Sequence, residues 1–200
     1  QTDQPVFTFI NLMGTHMPYQ PPREYIEKFA PNVLKDRDAQ TYLRRFNSDV
    51  YGWLAPLMGA LGHQQKDTLD GTNDTEVAAQ DVIVGRFLDQ LRPSGCLDNA
   101  YVVVCADHGE HFGVKQLIGH SLSIYNELVH VPLVIHDPTD TIERGTIRED
   151  VVSTRCLFQT VLSAAGLATQ EEAELSLEHP DDSKTLEEVE PERCVYAEAI

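Results

Sequence analysis

Short apolar runs alternate with longer amphipathic stretches along this chain. The runs lie at residues 6–13, 100–106 and 131–136. A continuous apolar run of this length predicts a β-strand buried on both faces, and Tyr101-Val102-Val103-Val104-Cys105 is the strongest example. Pro132 belongs near the start of its strand or on an edge, because proline cannot donate to a ladder.

The stretches between these runs predict helices. Residues 74–91 carry a helical apolar stripe that includes Val77, Val84 and Leu88, and residues 153–165 form a second amphipathic pattern. Shorter or less regular helical patterns occupy residues 24–29, 36–61 and 122–128. Alternating strands and helices predict an α/β fold with a mainly parallel sheet flanked by helices.

The position of the first strand suggests that the fold is incomplete. A central buried strand needs neighbours on both edges, yet this one begins almost at residue 1. We therefore expect residues 1–168 to be the later part of an α/β domain whose beginning is absent. Residues 169–200, which are rich in glutamate and aspartate, are expected to be an acidic connection and the start of a small C-terminal subdomain, with a final strand at 194–197. An exposed sheet edge would favour self-association.

Charge narrows the classes of partner. The chain has 32 acidic and 15 basic residues, a net charge of −17, which is typical of an acidic, salt-adapted surface. Such a field repels nucleic acid. No apolar run approaches the ~20 residues that span a bilayer. The compartment is unknown from these features; we expect a soluble protein in the cytoplasm of a halophilic microbe.

Candidate chemistry follows the second strand, in Asp107-His108-Gly109-Glu110. An aspartate and a histidine at a strand end are suitable ligands for one divalent ion, although the same residues also suit a turn that caps the strand. His120 and Lys115 in the following loop favour the functional interpretation, because several such side chains in one loop have little structural purpose. His16, after the first strand, would lie at the same edge of the sheet, whereas His130 is expected to have a structural role.

These segments, taken in order, resemble the C-terminal half of the catalytic domain of the sulfatase family, within the alkaline phosphatase superfamily. The first is residues 9–25, with the turn His16-Met17-Pro18-Tyr19. The second is the helix before the metal strand, near residues 81–88. The third runs from Asp107 through Gly119-His120 to the strand at 131–135, and the fourth is the helix at 153–166. The resemblance covers residues 5–166.

The resemblance implies a role for each candidate residue. Asp107 and His108 would bind the metal, with calcium expected first and manganese or zinc as alternatives. His16 and His120 would contact the anionic group of a small sulfate ester, with His120 as the proton donor to the leaving oxygen. Lys115 would correspond to the family's substrate-binding lysine, although residues 112–116 depart from the family's usual glycine-rich continuation.

The resemblance also implies that this chain lacks essential parts of a sulfatase. The family's nucleophile begins a Cys/Ser-x-Pro-x-Arg motif and is oxidised to formylglycine, and no cysteine here begins such a motif. We expect the nucleophile and two further acidic ligands in the absent N-terminal half, and therefore no activity from this chain alone. The alternatives are a phosphonate or phosphodiester hydrolase of the same superfamily and a non-enzymatic, sulfatase-like binding domain.

Overall fold

The computed structural model of the protein describes residues 4–48, 61–120, 123–149 and 151–178. The chain divides into two compact units. The helix-rich unit consists of the described residues of Thr8–Ser94 and His108–His130. The sheet unit consists of Gly95–Asp107, the described residues from Val131 onward and residues 4–7.

The helix-rich unit is built around one long helix. Its helices are α1 (Arg23–Phe29), α2 (Pro31–Lys35), α3 (Arg37–Ser48), α4 (His63–Leu91) and α5 (Asn126–Val129). Helices α1, α2 and α3 all pack against α4. Two short strands, numbered here in chain order, form an antiparallel hairpin: β2 (His111–Phe112) pairs with β3 (Ile118–Gly119). No helix of the described residues is long and apolar enough to cross a membrane.

The core of this unit lies where the helices meet the hairpin. Tyr19 stacks on Phe46, with ring centroids 6.0 Å apart and planes within 9°. Met17 and Leu69 complete the buried cluster. Phe112 packs against it from the hairpin, so the core connects the turn after residue 14 to the loop that follows residue 108.

Helix α4 differs from its prediction in both length and orientation. It begins at His63, eleven residues before the predicted start. Its buried side is largely polar and includes Thr68, Leu69, Thr72, Thr75, Glu76 and Ala79. The buried threonine hydroxyls donate to the carbonyl oxygens one turn earlier, as Thr72 does to Thr68 at 2.6 Å. An apolar periodicity does not detect a face whose hydroxyls are satisfied by the helix itself. Val77, placed on the predicted buried stripe, is half-exposed.

The predicted strand at residues 6–13 is not formed in the described part of the chain. Its backbone belongs to no ladder, and Val6 and Phe9 are about four-fifths exposed. A strand gains its stability from neighbours on its edges and faces. None of the described strands pairs with this segment, so the prediction of burial was wrong.

The sheet unit contains one antiparallel pair. Strand β1 (Val102–Cys105) pairs with β4 (Leu133–His136), with Val103 opposite Ile135 and Val104 opposite Val134. The prediction that β1 is buried on both faces was wrong, because Val104 and Val134 are exposed. Both ladders of the described residues are antiparallel, and the parallel pairs that the alternation predicts are not among them.

Two helices follow these strands. Helix α6 (Cys156–Ala164) confirms the second amphipathic pattern, and α7 (Gln170–Glu174) packs against it. Thr169 caps α7 through a reciprocal capping box with Glu172. Residues 170–178 are therefore partly ordered structure and not only a solvated connection. The boundary predicted at residue 168 stays a prediction, and the predicted strand at 194–197 lies outside the described residues.

A buried aspartate secures the turn after β4. The Asp137 carboxylate accepts hydrogen bonds from the backbone and hydroxyl of Thr139 at 2.7 Å and from the backbone of Ile142 at 2.8 Å. Burial alone would raise the pKa of Asp137, but these bonds outweigh it and lower the pKa to about 2. The side chain is thus a charged acceptor that fixes the turn.

Candidate active site

Three histidines from separate parts of the sequence meet in the helix-rich unit. The ring centroids of His108 and His120 are 4.1 Å apart in a stacked arrangement. The rings of His16 and His120 meet edge to face at 5.1 Å. His16 lies in the turn before α1, His108 precedes β2, and His120 follows β3 directly. The structure therefore brings together three of the five residues predicted for the site.

The loop between His108 and His120 reverses through unusual backbone conformations. Gly113 and Gly119 have φ angles of 91° and 82°, and Lys115 has a φ of 53°. Glycine adopts such angles without a steric penalty. These turns fold the hairpin back on itself, so that His120 returns to His108.

Gly109 holds the first end of this loop. Its backbone nitrogen donates to the carbonyl oxygen of Leu128 at 2.8 Å. A Cβ atom at this position would lie only 2.0 Å from the carbonyl oxygen of Glu127. The close approach of two backbone segments therefore requires glycine here.

The three rings are oriented in the same way, through the Nδ1 atom. His16 Nδ1 donates to the carbonyl oxygen of Met17, and His108 Nδ1 donates to that of Gly109 at 2.9 Å. His120 Nδ1 lies 3.2 Å from Oε1 of Glu110. Because carbonyl oxygens only accept, the proton of the first two rings is assigned to Nδ1, and the lone pair of the neutral ring is then on Nε2. An imidazole with Nδ1 held in this way is prepared to bind a ligand or a metal through Nε2.

Glu110 is a member of the cluster to which sequence reasoning assigned no role. Its side chain is only 13% exposed. Burial raises the pKa of Glu110 to about 7, although the neighbouring His108 and His16 and a hydrogen bond from Tyr19 act against that rise. The sequence signal that could have identified Glu110 was its place in the Asp107-His108-Gly109-Glu110 motif. This motif indicates that Glu110 lies near the site but does not indicate that it contacts His120.

Two other polar residues of the loop lie in a separate group. His111 is buried, and its Nε2 lies 2.6 Å from the hydroxyl of Ser123. Burial lowers the pKa of His111 and favours the neutral ring. Lys115 places its Nζ 4.7 Å from the centre of the Tyr125 ring. The described contacts of Lys115 are thus with Tyr125 and not with the three histidines.

The metal ligands predicted from the sequence are adjacent in the chain. A carboxylate at Asp107 and the Nε2 atom of His108 are chemically suited to a divalent ion. Across residues 4–48, 61–120, 123–149 and 151–178, however, no group of three or more His, Cys, Asp or Glu side chains is arranged to hold one. The described residues therefore fit part of a coordination shell, and the remaining ligands would come from elsewhere.

Comparisons with known proteins agree on one family. The family model described as Sulfatase matches residues 1–167. The chain is 26% identical over 144 residues to the uncharacterized sulfatase YidJ of Escherichia coli (strain K12), covering 69% of this chain and 28% of that protein. It is 33% identical over 90 residues to arylsulfatase K of Xenopus laevis, covering 45% and 16% of the two chains. It is 22% identical over 174 residues to an arylsulfatase of Clostridium perfringens, covering 86% and 36%.

The fold is shared with a solved structure. The phosphonate monoester hydrolase SpPMH from Silicibacter pomeroyi superposes with a TM-score of 0.60 at 23% identity, over 84% of this chain and 37% of that one. This similarity confirms the predicted alkaline phosphatase-like α/β fold. The chain spans between 16% and 37% of the length of these four proteins.

Proposed function

This chain belongs to the sulfatase family, and from that premise we propose that it supplies the histidine side of the active site in a metal-dependent sulfuric ester hydrolase. The observation that carries the proposal is the cluster of His16, His108 and His120, whose Nδ1 atoms are all engaged by acceptors. All three rings are thereby prepared to act through Nε2.

The proposed roles follow from this shared orientation. His16 and His120, each protonated on both ring nitrogens, donate from Nε2 to the anionic group of the ester. His120, as the imidazolium, then gives its Nε2 proton to the leaving oxygen and becomes neutral. Asp107 and the Nε2 of His108 hold the divalent ion, with calcium proposed first and manganese or zinc as alternatives. When bound, such an ion polarises the ester oxygen and stabilises the charge that develops there.

Two parts of the reaction lie outside these residues. Two protein ligands are too few to offset the cost of dehydrating the ion, so further carboxylates are needed. The nucleophile is also required from elsewhere, and we propose a formylglycine. This chain by itself is accordingly proposed to be inactive and to bind metal weakly. Lys115 remains a proposed substrate contact, which would require its side chain to leave the Tyr125 ring.

Phosphonate or phosphodiester hydrolysis is the second candidate. It is favoured by the fold shared with SpPMH, which is named a phosphonate monoester hydrolase. A histidine beside the aspartate also suits manganese or zinc, which are compatible with phosphoryl chemistry. The two candidates use the same residues in the same roles and differ in the ester that is cleaved.

The source, compartment and association of the protein are proposed from its charge and its exposed residues. A net charge of −17 suits a protein of a halophilic microbe, and we propose the cytoplasm as its compartment. The substrate is a small anionic ester, which the acidic surface would repel without the local positive charge of the histidines and the ion. Exposed Val104 and Val134 on the β1–β4 pair support self-association of this chain.

The proposal is tested in the full-length gene product by replacing the first metal ligand. Asp107→Ala is expected to remove bound divalent metal, measured by elemental analysis, and to abolish turnover of an aryl sulfate. His130→Ala is the matched control, since His130 is an exposed residue at the end of α5 and its loss should change neither quantity. Full metal content and activity in Asp107→Ala would contradict the site assignment. Assaying an aryl phosphonate monoester in parallel decides between the two ester classes.

A further inference from the structure

We infer that Glu110 and Tyr19 are positioning residues that orient His120, an inference that rests on the proposed role of His120 as proton donor. The two carboxylate oxygens of Glu110 lie 3.2 and 3.3 Å from Nδ1 of His120. The Tyr19 hydroxyl donates to the second of these oxygens at 3.4 Å. The three side chains therefore form a relay of contacts from the core to the histidine cluster.

Tyr19 is the fixed end of this relay. It is 1% exposed and stacks on Phe46. Its backbone makes two hydrogen bonds with the Asn47 side chain, from the Tyr19 nitrogen at 3.0 Å and to the Tyr19 carbonyl at 2.7 Å. Burial and the neighbouring Glu110 carboxylate raise the pKa of Tyr19 well above its ordinary value, so the phenol stays a hydrogen-bond donor.

Glu110 is the movable part that this anchor restrains. A glutamate has three side-chain torsions, and an unrestrained one would sample several rotamers. With one oxygen bonded to Tyr19, the carboxylate is directed towards His120. Burial of both side chains, at 13% and 21% exposure, limits competition from water and strengthens the contact.

The orientation determines which nitrogen of His120 faces the reaction. An acceptor at Nδ1 holds a proton there, so the second proton of the imidazolium is carried by Nε2, the nitrogen proposed to donate to the leaving oxygen. Without the acceptor, the ring could rotate or exchange tautomers. Glu110 contacts the ring of His120, and Tyr19 contacts Glu110, so the effect of both residues on the reaction passes through His120.

The arrangement also gives a purpose to the turn His16-Met17-Pro18-Tyr19. One end of the turn carries a histidine of the cluster, and the other end carries the phenol that holds Glu110. The positions of His16 and His120 are therefore coupled through four consecutive residues and one carboxylate. This accounts for an aromatic hydroxyl at residue 19, where packing on Phe46 alone would accept phenylalanine.

The test uses two replacements of Glu110 that are similar in size. Glu110→Gln keeps an oxygen acceptor, whereas Glu110→Met fills similar space without one. In the full-length gene product with ¹⁵N-labelled histidine, the His120 signals, assigned by comparison with His120→Gln, are expected to report a protonated Nδ1 in the wild type and in Glu110→Gln. Glu110→Met is expected to lose that signature and to lower kcat about 10- to 100-fold with KM nearly unchanged.

Tyr19→Phe provides an independent step, because it keeps the ring stacked on Phe46 and removes only the hydroxyl. We expect kcat to fall about two- to tenfold, the effect of one hydrogen bond. The melting temperature should change no more than it does in Glu110→Gln. Equal kcat and equal His120 signals in Glu110→Gln and Glu110→Met would overturn the inference and leave Glu110 as a packing residue.

Different measurements would contradict the positioning role of Glu110 and the proposed function. Unchanged turnover in His120→Ala contradicts the proposed function. Unchanged His120 nitrogen signals in Glu110→Met contradict the positioning role, whatever the rate of turnover.

Discussion

Gly109 is the single residue on which the path of the loop between His108 and His120 depends most directly. Gly109→Ala would place a methyl group 2.0 Å from the Glu127 carbonyl oxygen. Since backbone atoms must move to relieve this clash, we expect the free energy of unfolding to fall by about 1–3 kcal/mol and turnover to fall with it. Unfolding by denaturant, followed by circular dichroism, measures the first effect.

Gly85 in α4 is the matched control for that replacement. Apart from its chain neighbours and the backbone of its own helix, no described heavy atom lies within 4 Å of a Cβ built there, so Gly85→Ala should raise the free energy of unfolding by roughly 0.5–1 kcal/mol through its higher helix propensity. A Gly109→Ala protein as stable as Gly85→Ala would show that the close backbone approach is not maintained.

The proximity of the three histidines was predictable from their order in the chain. His16 and His108 each follow an apolar segment, His120 belongs to the loop after His108, and the sequence alone predicts that they lie near one another. Glu110 and Tyr19 were missed in their roles because those roles depend on contacts 10 and 91 residues away in sequence. A pattern along the chain identifies which residues can react, and the fold determines which of them orient one another.

Helix α4 gives a test at the scale of an element. Leu69 is fully buried against the core cluster, whereas Val77 is 51% exposed. If the buried side of the helix is the threonine-rich one, Leu69→Ala should cost about 2–5 kcal/mol of unfolding free energy. Val77→Ala, the control on the stripe that the sequence predicts to be buried, should change it by less than about 0.5 kcal/mol.

Denaturant unfolding of the two variants decides which side of α4 faces the core. A larger loss for Val77→Ala than for Leu69→Ala would reverse the assignment.

Sequence reasoning located α1 and α6 well, the first from the prolines before it and the second from its amphipathic pattern. It misplaced α4, where hydroxyl-to-carbonyl bonds replace apolar contacts, and residues 6–13, where a strand needs partners that the described residues do not supply.

At the scale of the whole molecule, the match to the sulfatase model over residues 1–167 and the fold shared with SpPMH agree with the alternation of strands and helices. The fold class is therefore predictable from the order of elements along the chain. The division into two units is not, because each unit combines distant segments of the chain. The metal site is likewise partial within the described residues, since no group of three or more His, Cys, Asp or Glu side chains among them is arranged to hold an ion.

The central claim is that this chain supplies the catalytic histidines of a hydrolase. It is tested most directly by kcat for an aryl sulfate in the full-length gene product, comparing His120→Ala with His63→Ala. His63 is a matched control on the surface of α4, with a side chain that is 97% exposed. Loss of a general acid should lower kcat by about 10²- to 10⁴-fold in His120→Ala, whereas His63→Ala should retain the wild-type rate. A wild-type rate in both variants would contradict the account.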